Sequence, residues 1–262
     1  MTKELISLLR PGIVRLAFFK DREQVGSASG FLSNGLLITC SHVIRQYPFD
    51  SVEITFGDQN KNPITPVRYS ADTLTNSIIK ESLESEYDFA IIKFNEPEVN
   101  GRYQLQIKHM KHDVVGEQVL FFGFPFGTQH LTSHNGYISS DFWRGSRHVF
   151  QIDGSINPGN SGGPLIHIAS GSVIGIVTRT ETGLEKDFDQ LVEAVNNNLR
   201  VLDQSRQGGA RVSIAGIDPV AAAQVTMRIL ARLSFNMKRS ANVGIGFCFS
   251  SEHIIQTGFI KE

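Results

Sequence analysis

Cysteine is scarce in this chain: only Cys40 and Cys248 occur among 262 residues. A secreted protein of this kind would usually carry several disulfides, so two free thiols in a reducing, cytoplasmic compartment are expected. Net charge is almost absent too, with 25 basic residues against 26 acidic ones. Nothing in that balance points to nucleic acid or an anionic membrane as a partner. Long apolar runs are missing. The N-terminal "MTKELISLLRPGIVRLAFF" mixes its apolar residues with Lys3, Glu4 and Arg10, unlike the unbroken core of a secretory signal. No later run is long enough to span a bilayer, and no internal repeat or low-complexity tract stands out.

What is present, from about residue 12 to 180, is a succession of short apolar or alternating runs. "IVRLAFFK", "VEITFG", "DFAIIKF", "QVLFFGFPFG", "HVFQID" and "GPLIHIASGSVIGIVT" read as strands and hairpins separated by glycine, proline and asparagine. "SNG" and "ASGS" are hairpin turns, because their glycines accept positive φ. Many short strands with little helix predict an all-β sandwich or barrel, and the length suits two barrels at roughly 100 residues each. The join falls near "NEPEVNGRYQLQIKHMK", which divides the chain into 1–105 and 106–262.

The pattern then changes to helix. In "LEKDFDQLVEAVNNNLRVLD", Phe188, Leu191, Val192, Val195 and Leu199 share one face. Asp218 and Pro219 supply an N-cap and a first-turn proline, and Ala222, Val225, Ile229 and Leu233 continue in helical register. A strand-like "NVGIGFCFS" follows. The second barrel is therefore expected to carry a helical insertion at about 181–240.

The chemistry centres on "INPGNSGGPL", residues 156–165. A serine hydroxyl is a weak nucleophile at neutral pH, so Ser161 needs a base. His42 ends the apolar strand "GLLIT" after a small-residue turn, a placement that fixes its backbone and leaves its ring accessible. The base in turn needs a buried acceptor, and Asp88 opens the alternating strand "DFAIIKF". The order is His42, Asp88, Ser161, with gaps of 46 and 73 residues.

"SGFLSNGLLITCSHVI", "DFAIIKF" and "NPGNSGGPL" resemble the three signature segments of trypsin-like serine proteases, most similarly the HtrA/Deg branch. "GFPFGTQHLTSHNGYISS" and "GIGFCFS" resemble the same branch, so the likeness leaves out only about 181–240. The resemblance implies two antiparallel six-stranded β-barrels with a catalytic triad between them. It makes Ser161 the nucleophile, His42 the general base and acid, and Asp88 the orienting carboxylate. It places the oxyanion hole in the turn Gly159, Asn160, Ser161, with the N–H groups of Gly159 and Ser161 as donors. A neutral Asn160 needs no cleaved N-terminal amine as partner, so activation by cleavage is not expected. No peptide-binding PDZ module is expected either.

By the same resemblance the substrate pocket is walled by Ser155, Ile156, Asn157 and Pro158, by Thr178, Arg179 and Thr180, and by Gly244, Ile245 and Gly246. No carboxylate sits near Ser155, so a basic side chain would be unpaired there, and a small or medium apolar residue is the expected tenant. The implied function is serine endopeptidase, acting on protein or peptide substrates through an acyl-enzyme that needs no metal and no organic cofactor. The alternative is a catalytically silent peptide-binding or scaffold module on the same fold. His109 and His112 in "KHMKH", and His130 and His134, read as ordinary surface and strand residues rather than metal ligands. The helical segment 181–240 is the candidate for a regulatory protein partner, because its two ends adjoin pocket walls.

Overall fold

The computed structural model describes residues 2–46, 48–57, 66–94, 101–110, 113–178, 185–207, 218–240 and 244–261. They fall into two compact units, Met1–Thr180 with Gly244–Glu262, and Glu181–Val243.

The first unit opens with helix α1 (Thr2–Leu9), followed by β1 (Ile13–Lys20), β2 (Glu23–Ser33) and β3 (Leu36–Thr39). A single turn, α2 (His42–Arg45), leads to β4 (Ser51–Phe56), β5 (Val67–Ser70), α3 (Ala71–Asn76), β6 (Ile78–Ser82) and β7 (Phe89–Ile92). These seven strands form one sheet, ordered β5-β4-β1-β2-β3-β7-β6. A closed six-stranded barrel is expected from the sequence; this sheet instead has seven strands in an open order. Its two end strands are joined only through α3, six residues or about 9 Å of helix, so the sheet must curl until its ends approach. The β2–β3 turn is Asn34-Gly35, both at positive φ, as a two-residue hairpin requires.

The chain continues through β8 (Gln118–Gly123), β9 (Thr132–Arg144), β10 (Arg147–Asp153), β11 (Pro164–His167) and β12 (Ser172–Val177). Two long helices, α4 (Glu185–Gln207) and α5 (Pro219–Ser240), precede β13 (Ile245–Ser250) and the single turn α6 (Glu252–Ile255). Here the sheet does close, in the order β10-β13-β12-β11-β8-β9. All pairings in both sheets are antiparallel.

Alternation along the strands explains where the core lies. In β3, β7 and β8, Ile38, Ile91 and Phe122 enter one cluster shared by both sheets. Their neighbours Leu37 and Ile92 fill the first sheet's interior, and Phe121 fills the second's. These strands are apolar on both faces because each face meets a different core. The shared cluster is the floor on which the candidate site stands, since His42 follows β3, Asp88 precedes β7 and Ser161 precedes β11.

The second unit is a pair of helices. Asp218 Oδ1 accepts from the N–H groups of Val220 and Ala221, the cap that the sequence predicts. Val195 of α4 is buried, and Gln224 of α5 donates to Asp203 at 2.7 Å. Among the positions of α5 whose burial is described, Gln224 and Ser234 are buried. Val225, Ile229 and Leu233, which continue the helical register read from the sequence, are at least half exposed.

Candidate active site

At the end of β3 the chain enters α2, whose first residue is His42. Its backbone N–H donates to Asp88 Oδ1 at 2.9 Å, and its ring Nδ1 stands 2.7 Å from Asp88 Oδ2. A proton on Nδ1 leaves Nε2 as the lone pair that could act as base. Asp88 is wholly buried and takes φ +49°, in a left-handed region that aspartate tolerates better than most residues. The Thr178 hydroxyl also donates to Oδ2, at 2.8 Å. Burial pushes the Asp88 carboxyl up, but the His42 ring, the His42 N–H and the Thr178 hydroxyl together outweigh it. The net effect holds the group below the usual carboxylate range.

Ser161 lies in the turn before β11. Its hydroxyl donates to the Thr178 carbonyl at 3.0 Å and makes no bond to His42 among the described residues. Thr178 thus touches both Ser161 and Asp88. Sequence reasoning gives Thr178 only as a pocket wall, and no local pattern could have shown the rest. Ser29, also missed, is fully buried in β2 and holds the turn in place. Its hydroxyl donates to Gly159 O at 2.6 Å and accepts from Phe124 N–H, and its N–H donates to Ser161 O at 2.9 Å.

Gly159 takes φ +100°, and a Cβ there would lie 2.3 Å from Phe124 O. Two independent constraints therefore demand glycine. The Pro158 carbonyl accepts from Phe126 N–H at 2.6 Å, so the N–H of Gly159, on the same trans peptide, points the opposite way. Among the described residues the N–H groups of Gly159 and Ser161 make no hydrogen bond. That of Asn160 donates to Asn157 O at 2.9 Å. Asn160, expected as the middle residue of the oxyanion turn, has its N–H committed within the turn, which agrees with Gly159 and Ser161 as the expected donors. Its side chain is fully buried against Gly123.

Of the expected pocket walls, Ile156 is buried, and a Cβ on Gly246 would come within 2.5 Å of its Cδ1. Gly154 N–H donates to Gly244 O, and Thr178 N–H to Phe247 O, so these segments are knit together through β13. Ile245 is exposed, as are Ser155 and Pro158, while Asn157 is partly buried. Arg179 and Thr180 lie outside the described residues, as does His112.

Cys40, His42 and Asp88 bring donor atoms within 4.8 Å of one another. The Cys40 thiol, however, donates to Val177 O, and burial together with the Asp88 charge pushes it well up. It stays protonated at neutral pH, so it is neither a thiolate ligand nor a competing nucleophile. Cys40 and Cys248 are both free and buried. His134 stacks on Phe121, and burial pushes its ring down. Among the described residues no helix is long and apolar enough to cross a membrane.

Strands in this order, with the acid, histidine and serine turn at their ends, define an all-β trypsin-like fold. The chain belongs to the trypsin-like peptidase domain family, whose description matches residues 28–176. It is 32% identical over 163 residues to the probable periplasmic serine endoprotease DegP-like of Chlamydia pneumoniae, covering 59% of this chain and 29% of that protein. It is also 32% identical over 189 residues to Protease Do-like 1, chloroplastic, of Arabidopsis thaliana, covering 68% and 39%. The chain thus spans about a third of the length of these relatives. Among solved structures, the HtrA-type protease AlgW with tripeptide shares the fold at TM-score 0.53 and 24% identity, covering 68% of this chain and 54% of that one.

Proposed function

We propose that this chain is a serine endopeptidase in which Ser161, His42 and Asp88 act as a triad. The observation that carries the reading is Asp88, a buried carboxylate whose two oxygens hold both the backbone and the ring of His42. That fixes the tautomer a general base needs and stabilises the imidazolium formed when it takes a proton. In the reaction the Ser161 hydroxyl turns from Thr178 O to His42 Nε2 and gives up its proton as Oγ bonds to the substrate carbonyl carbon. The oxyanion that forms is met by the N–H groups of Gly159 and Ser161. His42 then hands the proton to the leaving amine, and water releases the acyl group by the same steps in reverse order.

The packing of Ile156 onto Gly246 supports a small or medium apolar side chain in the pocket. The exposed register Val225, Ile229, Leu233 on α5 supports a regulatory protein partner for residues 181–240. Replacing 183–240 with a Gly/Ser linker tests that part. Unchanged peptide cleavage, alone and with candidate partners, would remove it. The comparisons lend no support to the cytoplasmic compartment expected from the cysteines, since one relative is named periplasmic and another chloroplastic.

The test is covalent labelling of Ser161 by a fluorophosphonate, together with cleavage of a peptide library. Ser161→Ala and His42→Ala are expected to lower kcat by several orders of magnitude. A folded wild type that neither labels nor cleaves would favour the silent peptide-binding module, for which the bond from Ser161 to Thr178 rather than His42 speaks.

A further inference from the structure

A surface cleft of about 580 Å³ is lined by His109, Asp113, Asp141, Trp143, His148 and Glu252, none of which has a role in the peptidase reading. His109 comes from the segment before β8, His148 from β10 and Glu252 from α6. His148 Nε2 stands 2.5 Å from Asp141 Oδ1. In the neutral ring the nitrogen facing the Asp141 carboxylate carries the proton, which leaves Nδ1 on the other side as the lone pair. His148 is only 7% exposed, and its Nδ1 is buried with no hydrogen bond among the described residues. What stands 3.9 Å from it is a second acceptor, Glu252 Oε2, also buried and, among the described residues, also without a hydrogen bond. His109 Nδ1 lies 4.0 Å from the same oxygen.

The two buried acceptors His148 Nδ1 and Glu252 Oε2, facing one another, are costly unless something positive joins them. A proton alone bridges the gap poorly, because charge-assisted N–H···O contacts run about 2.7–2.9 Å. A zinc-class ion bonds such atoms at about 2.0–2.2 Å, which sets tetrahedral donors about 3.4 Å apart. Each histidine nitrogen then has to close on Glu252 Oε2 by about 0.5 Å, and the two histidine donors, more than 4.8 Å apart, have to turn further toward one another. The carboxylate of Asp141 behind the ring is the arrangement that orients a metal-binding histidine.

We propose that His148, Glu252 and His109 bind a divalent first-row cation of the zinc class, with Asp141 as the positioning carboxylate. His109, expected from the sequence to be an ordinary surface residue, becomes a ligand only through this tertiary meeting. The ion ties α6 to β10 and to the segment entering β8. The site does not depend on Ser161, and its test is separate from peptidase activity.

The untagged full chain is stripped with a chelator and titrated with Co²⁺ and then Zn²⁺ near neutral pH. Trp143 is the only tryptophan, and its ring lies on His148 at 4.8 Å and 9°, so its emission reads the site directly. About one equivalent of Co²⁺ is expected to produce visible d–d bands and quench Trp143, and Zn²⁺ is expected to reverse both. Glu252→Gln and His148→Gln abolish these signals, Asp141→Asn weakens binding about 10–100-fold, and Ser161→Ala leaves it unchanged. If His148→Gln does not fold by circular dichroism, Glu252→Gln and Asp141→Asn decide. Absence of saturable binding in the wild type, or parental affinity in folded Glu252→Gln, overturns the proposal.

Discussion

Thr178 and Asp88, 90 residues apart, meet through a 2.8 Å hydrogen bond to the same carboxylate oxygen that faces His42. The carbonyl of Thr178 simultaneously holds the Ser161 hydroxyl. Removing only the threonine hydroxyl therefore perturbs the acid without touching the serine. Thr178→Val is expected to lower kcat/KM roughly 10- to 100-fold, in line with about 1.5–3 kcal/mol for a hydrogen bond to a charged group. Thr178→Ser should restore most of the loss. Steady-state kinetics on one peptide checks both, and a Val variant at wild-type rate would show the bond to be incidental.

Asp88 also sets a pH dependence of stability. Its folded-state carboxyl lies below the ordinary value of about 3.9, so the unfolded chain binds the proton more readily. The contribution is complete above about pH 5 and is lost as pH falls through the depressed folded value. Urea unfolding at descending pH should show a steeper acid-side decline for the wild type than for Asp88→Asn. Equal slopes would mean the hydrogen bonds to Asp88 add nothing to folding.

Gly159→Ala forces a Cβ toward Phe124 O at 2.3 Å in a backbone region costing about 1–3 kcal/mol for a side chain. The turn must shift, and with it the Gly159 N–H. The expected loss in kcat is about 10²–10³-fold, as for one oxyanion donor. Gly145→Ala is the control: φ is +65°, but nothing lies within 4 Å of its Cβ. That variant should lose a little stability and no activity, measured by thermal unfolding and peptide turnover.

The two cysteines should be silent. Burial pushes both thiols up, so neither ionises at a pH where an exposed thiol of about 8.5 already reacts. Iodoacetamide on the native protein, followed by mass spectrometry, should leave Cys40 and Cys248 unmodified. Both should alkylate in denaturant. Rapid native labelling of Cys40 would contradict the packing around His42.

The sequence by itself determined the features that depend on neighbours along the chain. Asn34-Gly35 and Gly159 require positive φ, Asp218-Pro219 starts a helix, and His42, Asp88 and Ser161 each stand beside the end of a short apolar strand. Local turn chemistry and side-chain periodicity act over a few residues, so they can be read one stretch at a time. Only the tertiary structure decided what happens across large separations. It gave Thr178 and Ser29 their bonds to the Ser161 turn, left Val225, Ile229 and Leu233 exposed on α5, and bent the first sheet through seven strands rather than six. It also brought His109 and His148 to one carboxylate oxygen of Glu252. A hydrogen bond or a shared ligand depends on positions to within a few tenths of an ångström. Those positions follow from closing the sheets and packing their common core, and no local pattern encodes that closure.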